Sequence, residues 1–225
     1  VSDSPGKHDF DLLRQLVFPS GKDLRAKLPG RPTRDCLYAD TCRDGVSSLK
    51  VWNVNEVGGV VGCFNIQGAA WSRKKGIFVF QYDSATEDVP SVVASVRPED
   101  VEGMVRRDGS DEEFVIQAHR TRVLSLLKPG QRMPDLVLGP KEWEVYTVAP
   151  VMSNGDVKWA PVALDQMLNG GGAIKSGLTL ASESAAKGKG GGGVVGTVGV
   201  YGCGALVCYS NAEPEAAEVD GTWVK

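Results

Sequence analysis

Leu49-Lys50-Val51-Trp52-Asn53-Val54-Asn55, followed by Val57-Gly58-Gly59-Val60-Val61-Gly62-Cys63-Phe64-Asn65-Ile66, reads as two successive β-strands. Each run is short and rich in β-branched and aromatic residues, and Glu56 with the glycines after it supplies turn chemistry between them. Working downstream, the same signature recurs at 77–82, 92–96, 114–118, 123–127, 135–138, 142–148, 157–164, 174–181, 194–201 and 206–209. Short strands at this density, punctuated by Gly, Pro, Asn and Asp, predict a mainly β chain whose residues 46–225 form an antiparallel β-sandwich.

Upstream the pattern differs. Phe10, Leu12, Leu13, Leu16 and Val17 recur at helical spacing between Asp9 and Phe18, and Pro19 with Gly21 stops the run. Before them, Val1-Ser2-Asp3-Ser4-Pro5-Gly6 reads as a strand end and a tight loop, so residues 1–32 open as strand, loop and helix. The Arg-, Pro- and Asp-rich stretch that follows contains two prolines that exclude a regular helix or a central strand, and residues 33–45 read as a connector. A short helix is expected at 98–106, where Pro98 suits the first helical position and Glu99 and Asp100 suit the helix dipole. The glycine-rich stretch 182–193 is expected to be a flexible loop.

The chain has 225 residues, 42% hydrophobic and 24% charged, with a net charge of −3. That supports a buried core and favours neither nucleic acid nor an anionic membrane as partner. No run approaches the roughly 20 apolar residues that cross a bilayer, and the first residues lack the features of a signal peptide. A start on Val1 rather than Met, directly into turn chemistry, reads as a piece of a longer protein. The five cysteines are odd in number and form no Cys-x-x-Cys pair, which argues against a disulfide framework or a thiolate metal site and fits a reducing compartment, cytoplasm or plastid. They read as small buried hydrophobes.

Motifs that carry chemistry are few. Gly188-Lys189-Gly190-Gly191-Gly192-Gly193 has the wrong order for a phosphate loop, in which Lys and Ser or Thr open a helix after the glycines. No Gly-x-Ser-x-Gly elbow exists, and His119 ends a strand, where it reads as structural. Glu99-Asp100 and Asp111-Glu112-Glu113 sit in polar turns and read as solvated surface. Asp3 stands apart because it ends the first strand. Of the five tryptophans, most read as core. Trp71, between Gly68-Ala69-Ala70 and the basic Ser72-Arg73-Lys74-Lys75, is the best candidate for stacking on a sugar ring.

Several segments together carry a resemblance: 1–10; Leu28-Pro29-Gly30-Arg31-Pro32-Thr33-Arg34-Asp35-Cys36-Leu37; 49–55; Gly62-Cys63-Phe64-Asn65-Ile66-Gln67-Gly68-Ala69-Ala70-Trp71; Ala160-Pro161-Val162-Ala163-Leu164; and Gly170-Gly171-Gly172-Ala173-Ile174. In them the chain resembles the C-terminal part of raffinose synthases and, more closely, of the alkaline α-galactosidases called seed imbibition proteins, in glycoside hydrolase family 36. The resemblance implies a (β/α)8 barrel, whose last strand and helix are residues 1–32, followed by an antiparallel β-sandwich. It implies a parent enzyme that hydrolyses or transfers α-galactosyl groups of galactinol or raffinose-family oligosaccharides with retention, through one Asp nucleophile and one Asp acid/base. Both aspartates are expected upstream, so no catalytic residue is assigned here. Asp3 and Trp71 are the substrate-binding candidates, and no cofactor or metal is implied. The partners implied are the galactosyl oligosaccharide and the upstream barrel of the same protein. The alternative reading is a stand-alone carbohydrate-binding or interaction module.

Severed from a barrel, residues 1–32 would leave Phe10, Leu13 and Val17 facing water. The chain expressed alone is expected to be poorly soluble, and a single monodisperse gel-filtration peak would contradict this.

Overall fold

The structure, a computed structural model, describes residues 4–72, 76–80, 89–106, 108, 111–182 and 193–224. Its centre is a six-stranded antiparallel sheet in the order Arg31–Pro32, Leu49–Val54, Gly59–Phe64, Trp143–Pro150, Phe114–Ala118 and Leu124–Leu127. The two opening segments of the sequence are thus neighbours near the sheet's centre, and Arg31–Pro32 takes an edge, where proline's missing N–H is tolerated.

Register sorts the side chains into rows. Trp52 lies opposite Val61, Val61 opposite Tyr146, and Tyr146 opposite Ala118. Strand side chains alternate between faces, so Val51, Gly62 and Val145 form a row on the reverse side. The first face packs against the paired strands Val92–Ala94 and Leu136–Leu138 and buries Val92, Val96, Val101, Met133 and Leu138 with Trp52, Phe114 and Tyr146. On the reverse face, Val115 and Ala149 pack on Ala160, Val162 and Ala163 of a second, three-stranded sheet. Its strands are Met152–Asn154, Val157–Leu164 and Leu206–Ser210. Two sheets sharing a core make the expected antiparallel sandwich. Pro161 is accommodated because the pairing of Val157–Leu164 with Leu206–Ser210 shifts register between Pro161 and Ala163.

Some elements differ from expectation. The helix covers only Phe10–Arg14, with Asp9 as its cap through a 3.0 Å bond from the Leu12 N–H. The chain then doubles back: Leu24 N–H donates to the Leu16 carbonyl and Phe18 N–H to Lys22, which turns Phe18 into a small core with Leu24, Leu164 and Met167. The antiparallel bridge between Val17 and Asp23 and the bond from Leu24 to Leu16 commit this segment to the return turn, which goes with the early stop. At 98–106 only the single turn Pro98–Asp100 forms, and 174–181 yields a strand only at Thr179–Ser182, after a turn at Gly170–Ala173. The paired strands Ala217–Val219 and Thr222–Val224 were not expected, although Asp220-Gly221 between them, both at positive φ, is a strong hairpin signal. The loop expected at 182–193 lies almost wholly outside the described residues.

Gly170 sits where the Gly170–Ala173 turn meets strand Val157–Leu164. A Cβ there would collide with the Leu164 carbonyl oxygen and lie 2.8 Å from the Ala163 Cβ. Gly170→Ala is expected to destabilise the protein by about 1–3 kcal/mol, typical of overpacking against backbone, as a lowered urea midpoint.

Candidate functional site

The Asp3 expectation lies outside the described residues, as does the basic stretch 73–75 after Trp71. Trp71 itself occupies strand Ala69–Ser72, opposite Phe78. His119 is half-buried. Burial first, and the Arg122 charge second, lower its pKa against the opposing pull of Glu144 and Asp165. The Asp9 carboxylate caps an exposed helix through the Leu12 N–H. Cys63 is buried and Cys36 and Cys42 are half-buried, whereas Cys203 and Cys208 are exposed, contrary to the expectation for all five. Trp52 is core, Trp143 and Trp159 are half-buried, and Trp223 is 70% exposed. Among the described residues no group of three or more His, Cys, Asp or Glu can hold a metal, and no helix is long and apolar enough to cross a membrane.

The polar residues of the motif segments converge on joints. Asn53 Oδ1 accepts from the Leu28 N–H at 3.0 Å while its amide donates back to the Leu28 carbonyl, so a side chain continues the sheet ladder onto the 27–28 segment. Asn55 and Asn169 exchange two amide hydrogen bonds, 2.8 and 2.9 Å, and Asn169 also donates to the Leu24 carbonyl. Asn65 donates to the carbonyls of Pro90 and Leu138, and Gln67 donates to Asp44 and Ser47 and accepts from Gly45 N–H. Burial pushes the Asp44 carboxyl up, but bonds from Ser47, Val46 and Gln67 outweigh it and hold it at about 2.

The most charged of these joints is Lys50, whose side chain is 9% exposed. Its ammonium reaches Asp35 at 2.7 Å, Asp100 at 3.0 Å and the Ser95 carbonyl at 3.4 Å. Asp100 is therefore not solvated surface as expected; its carboxylate is 12% exposed. Glu113 is likewise 11% exposed and paired with Lys158. Lys50 lies at the base of a cavity of about 820 Å³ rimmed by Arg34, Arg97, Arg106 and Arg132, with no aromatic side chain among its lining residues. On the far side of Cys63 in the same row, the buried Glu144 takes N–H bonds from Arg120, Thr121 and Val145 at 2.8–3.0 Å. Each of these charges has a partner: Lys50, Asp35 and Asp100 bind one another at the cavity wall, and Glu113 and Glu144 are paired within the fold.

The second opening is apolar. Val51, Val60, Phe64, Trp143 and Val145, on the reverse face of the central sheet, form a groove of about 670 Å³ with Leu12, Leu16, Leu24 and Leu168. Phe64 lies flat on the sheet because Gly62 leaves it room; a Cβ there would be 2.8 Å from the ring. The Arg120 guanidinium stacks on Trp143 at 5.1 Å.

Residues 1–225 match the family model described as raffinose synthase or seed imbibition protein Sip1. The chain belongs to this family. It is 40% identical to the probable galactinol–sucrose galactosyltransferase 6 of Arabidopsis thaliana, over 98% of this chain and 28% of that protein. It is 40% identical to the galactinol–sucrose galactosyltransferase of Oryza sativa subsp. japonica, over 98% and 27%. The stachyose synthase of Pisum sativum is 31% identical, over 98% and 25%. The chain spans about a quarter of the length of these relatives. Measured against them, this is a portion of a raffinose synthase family polypeptide in which the motif polar groups of 49–67 serve joints between segments.

Sequence reading missed Lys50, Asn53 and Asn55 as a set. The available signal was polar side chains inside an otherwise apolar strand, which must find partners once buried. At Asp35, burial raises the carboxyl pKa, but hydrogen bonds from Lys50 and Thr33 and the Lys50 charge bring it below the ordinary 3.8. At Lys50, burial lowers the pKa, but both carboxylates outweigh this and raise it above 10.5. The Asp35 contribution to stability is therefore present above pH 3.8 and lost as pH falls through its lower folded value. The Lys50 contribution is present below pH 10.5 and lost as pH rises through its higher folded value. Lys50→Met strands the buried Asp100 carboxylate and is expected to cost about 3 kcal/mol near neutral pH, with a smaller cost in acid, where carboxylates are protonated. Urea unfolding of both proteins across pH checks this.

Proposed function

We propose that this chain is the non-catalytic C-terminal β domain of an enzyme that hydrolyses or transfers α-galactosyl groups of galactinol and raffinose-family oligosaccharides. The relatives matching 98% of the chain are named as galactinol–sucrose galactosyltransferases, which supports the substrate class. The observation that carries the non-catalytic part is the fate of the motif polar groups. Lys50, Asn53, Asn55, Asn65 and Gln67 all spend their hydrogen-bonding capacity inside the fold. A retaining glycosidase needs two carboxyl groups facing each other about 5 Å apart across a cleft. Asp35 and Asp100, two carboxylates at one cavity, are instead bridged by Lys50. In this reading the chemistry belongs to an upstream barrel of which residues 1–32 are the end, 33–45 the connector, and 46–225 the supporting sandwich.

The whole protein is expected to form raffinose from galactinol and sucrose, or to release galactose from galactinol. The 225-residue chain should turn over neither galactinol nor an aryl α-galactoside. Sustained hydrolysis by the chain alone would overturn the proposal.

A further inference from the structure

We infer that the apolar groove on the reverse face of the central sheet is the seat for apolar side chains of the preceding part of the same polypeptide. The inference rests on the reading above, that this chain is the C-terminal part of a longer enzyme. Antiparallel sheets normally leave one face to water and make it polar. Here the row Val51, Gly62, Val145 and the row with Phe64 and Trp143 are apolar, yet only the far half of that face, at Val115 and Ala149, is covered by the three-stranded sheet. The near half is left half-buried in the groove, whose other wall carries Leu12 and Leu16, 42% and 37% exposed.

The wall chemistry selects the occupant. The polar side chains lining it, Asn53 and Asn169, are committed to Leu28, Leu24 and Asn55, and the sheet backbone beneath is paired strand to strand. A sugar would therefore find aromatic surface but no hydrogen-bonding partner, and an added strand would find no open edge. What fits is a helix or loop presenting aliphatic and aromatic side chains. Length points to its source: the relatives carry some three quarters of their length outside the matched part.

The test uses the whole enzyme. Cysteines placed one at a time in the groove, Val60→Cys and Leu16→Cys, are compared with Val137→Cys and Glu218→Cys on exposed strands. Each is pulsed with a maleimide under native conditions and read by peptide mass spectrometry. The two groove positions are expected to label at least about tenfold more slowly than the two controls, because labelling then requires the interface to open, and all four should label alike in denaturant. Equal native rates would overturn the proposal. So would protection that vanishes on dilution, which would assign the face to a second copy, or protection that appears only with galactinol, which would make the groove a ligand site. A variant that loses cooperative unfolding is replaced by Val51→Cys or Val145→Cys on the same face. Galactosyl transfer measured on the same samples separates the two readings. An active enzyme with an unprotected groove sinks only this inference, and an inactive one with a protected groove sinks only the assigned activity.

Discussion

The central sheet is apolar on both faces through its middle strands, and every other layer answers to that constraint. Trp52, Val61, Tyr146 and Ala118 line one side, and Val51, Gly62 and Val145 stand back to back with them on the other. A sheet of this composition cannot stand with either face in water, since each buried aliphatic or aromatic side chain is worth about 1.5–3 kcal/mol. One face is closed by the short pair Val92–Ala94 and Leu136–Leu138; the far half of the other is closed by the three-stranded sheet, and the doubled-back segment from Phe10 to Leu24 walls the groove over the near half. The molecule consequently has a large core on the first face, a smaller one between the two sheets, and a third around Phe18, Leu24, Leu164 and Met167 beside the three-stranded sheet.

Hydrophobic burial is non-directional, so it does not by itself choose the register of these layers. The buried polar groups do. Lys50 and Glu144 stand at one end of the sheet with Cys63 between them, and they are neutralised by different means: two carboxylates and a carbonyl for Lys50, backbone N–H groups for Glu144. A buried ion pair contributes little net stability over an apolar replacement, but half of one is costly. A slip of one residue in strand Leu49–Val54 would send Lys50 to the groove face, away from Asp35 and Asp100, and would take Trp52 out of its core. The same logic applies to Asn55 and Asn169, whose paired amides fit in one alignment of sheet and turn.

Most of the strands were legible because β-branched and aromatic runs bounded by Gly, Pro and Asn leave few alternatives. What escaped the sequence depended on partners far along the chain. Glu99-Asp100 resembles any solvated helix start, and only the fold reveals that Asp100 meets a lysine fifty residues away. The helix read from sequence is too long because Leu16 and Val17 continue the helical spacing, whereas the bridge from Val17 to Asp23 and the bonds to Lys22 and Leu16 turn that segment back. Half-buried Val60 and Val145 are indistinguishable in sequence from core positions, since periodicity reports that a side chain is apolar and not which layer covers it. The sugar chemistry proposed for the whole protein is legible only through the family resemblance. No local motif in residues 1–225 carries it.

A chemical site requires polar groups with unspent capacity, and the motif side chains of this chain have little. Their arrangement explains what they do instead. Asn53, Asn55 and Asn169 fasten the segment carrying Leu24 and Leu28 to the sheet edge and the Gly170–Ala173 turn, and Asn53 and Asn169 also line the apolar groove. Directional bonds thereby fix the angle between the entering chain and the sheet, while the groove beside them offers non-directional apolar area. A layer that must be held in one orientation against a neighbouring mass needs both: the amides set the geometry and the apolar wall supplies most of the free energy. That pairing of a rigid joint with an adjacent apolar seat suits a domain whose contribution to an enzyme is to hold other residues in place.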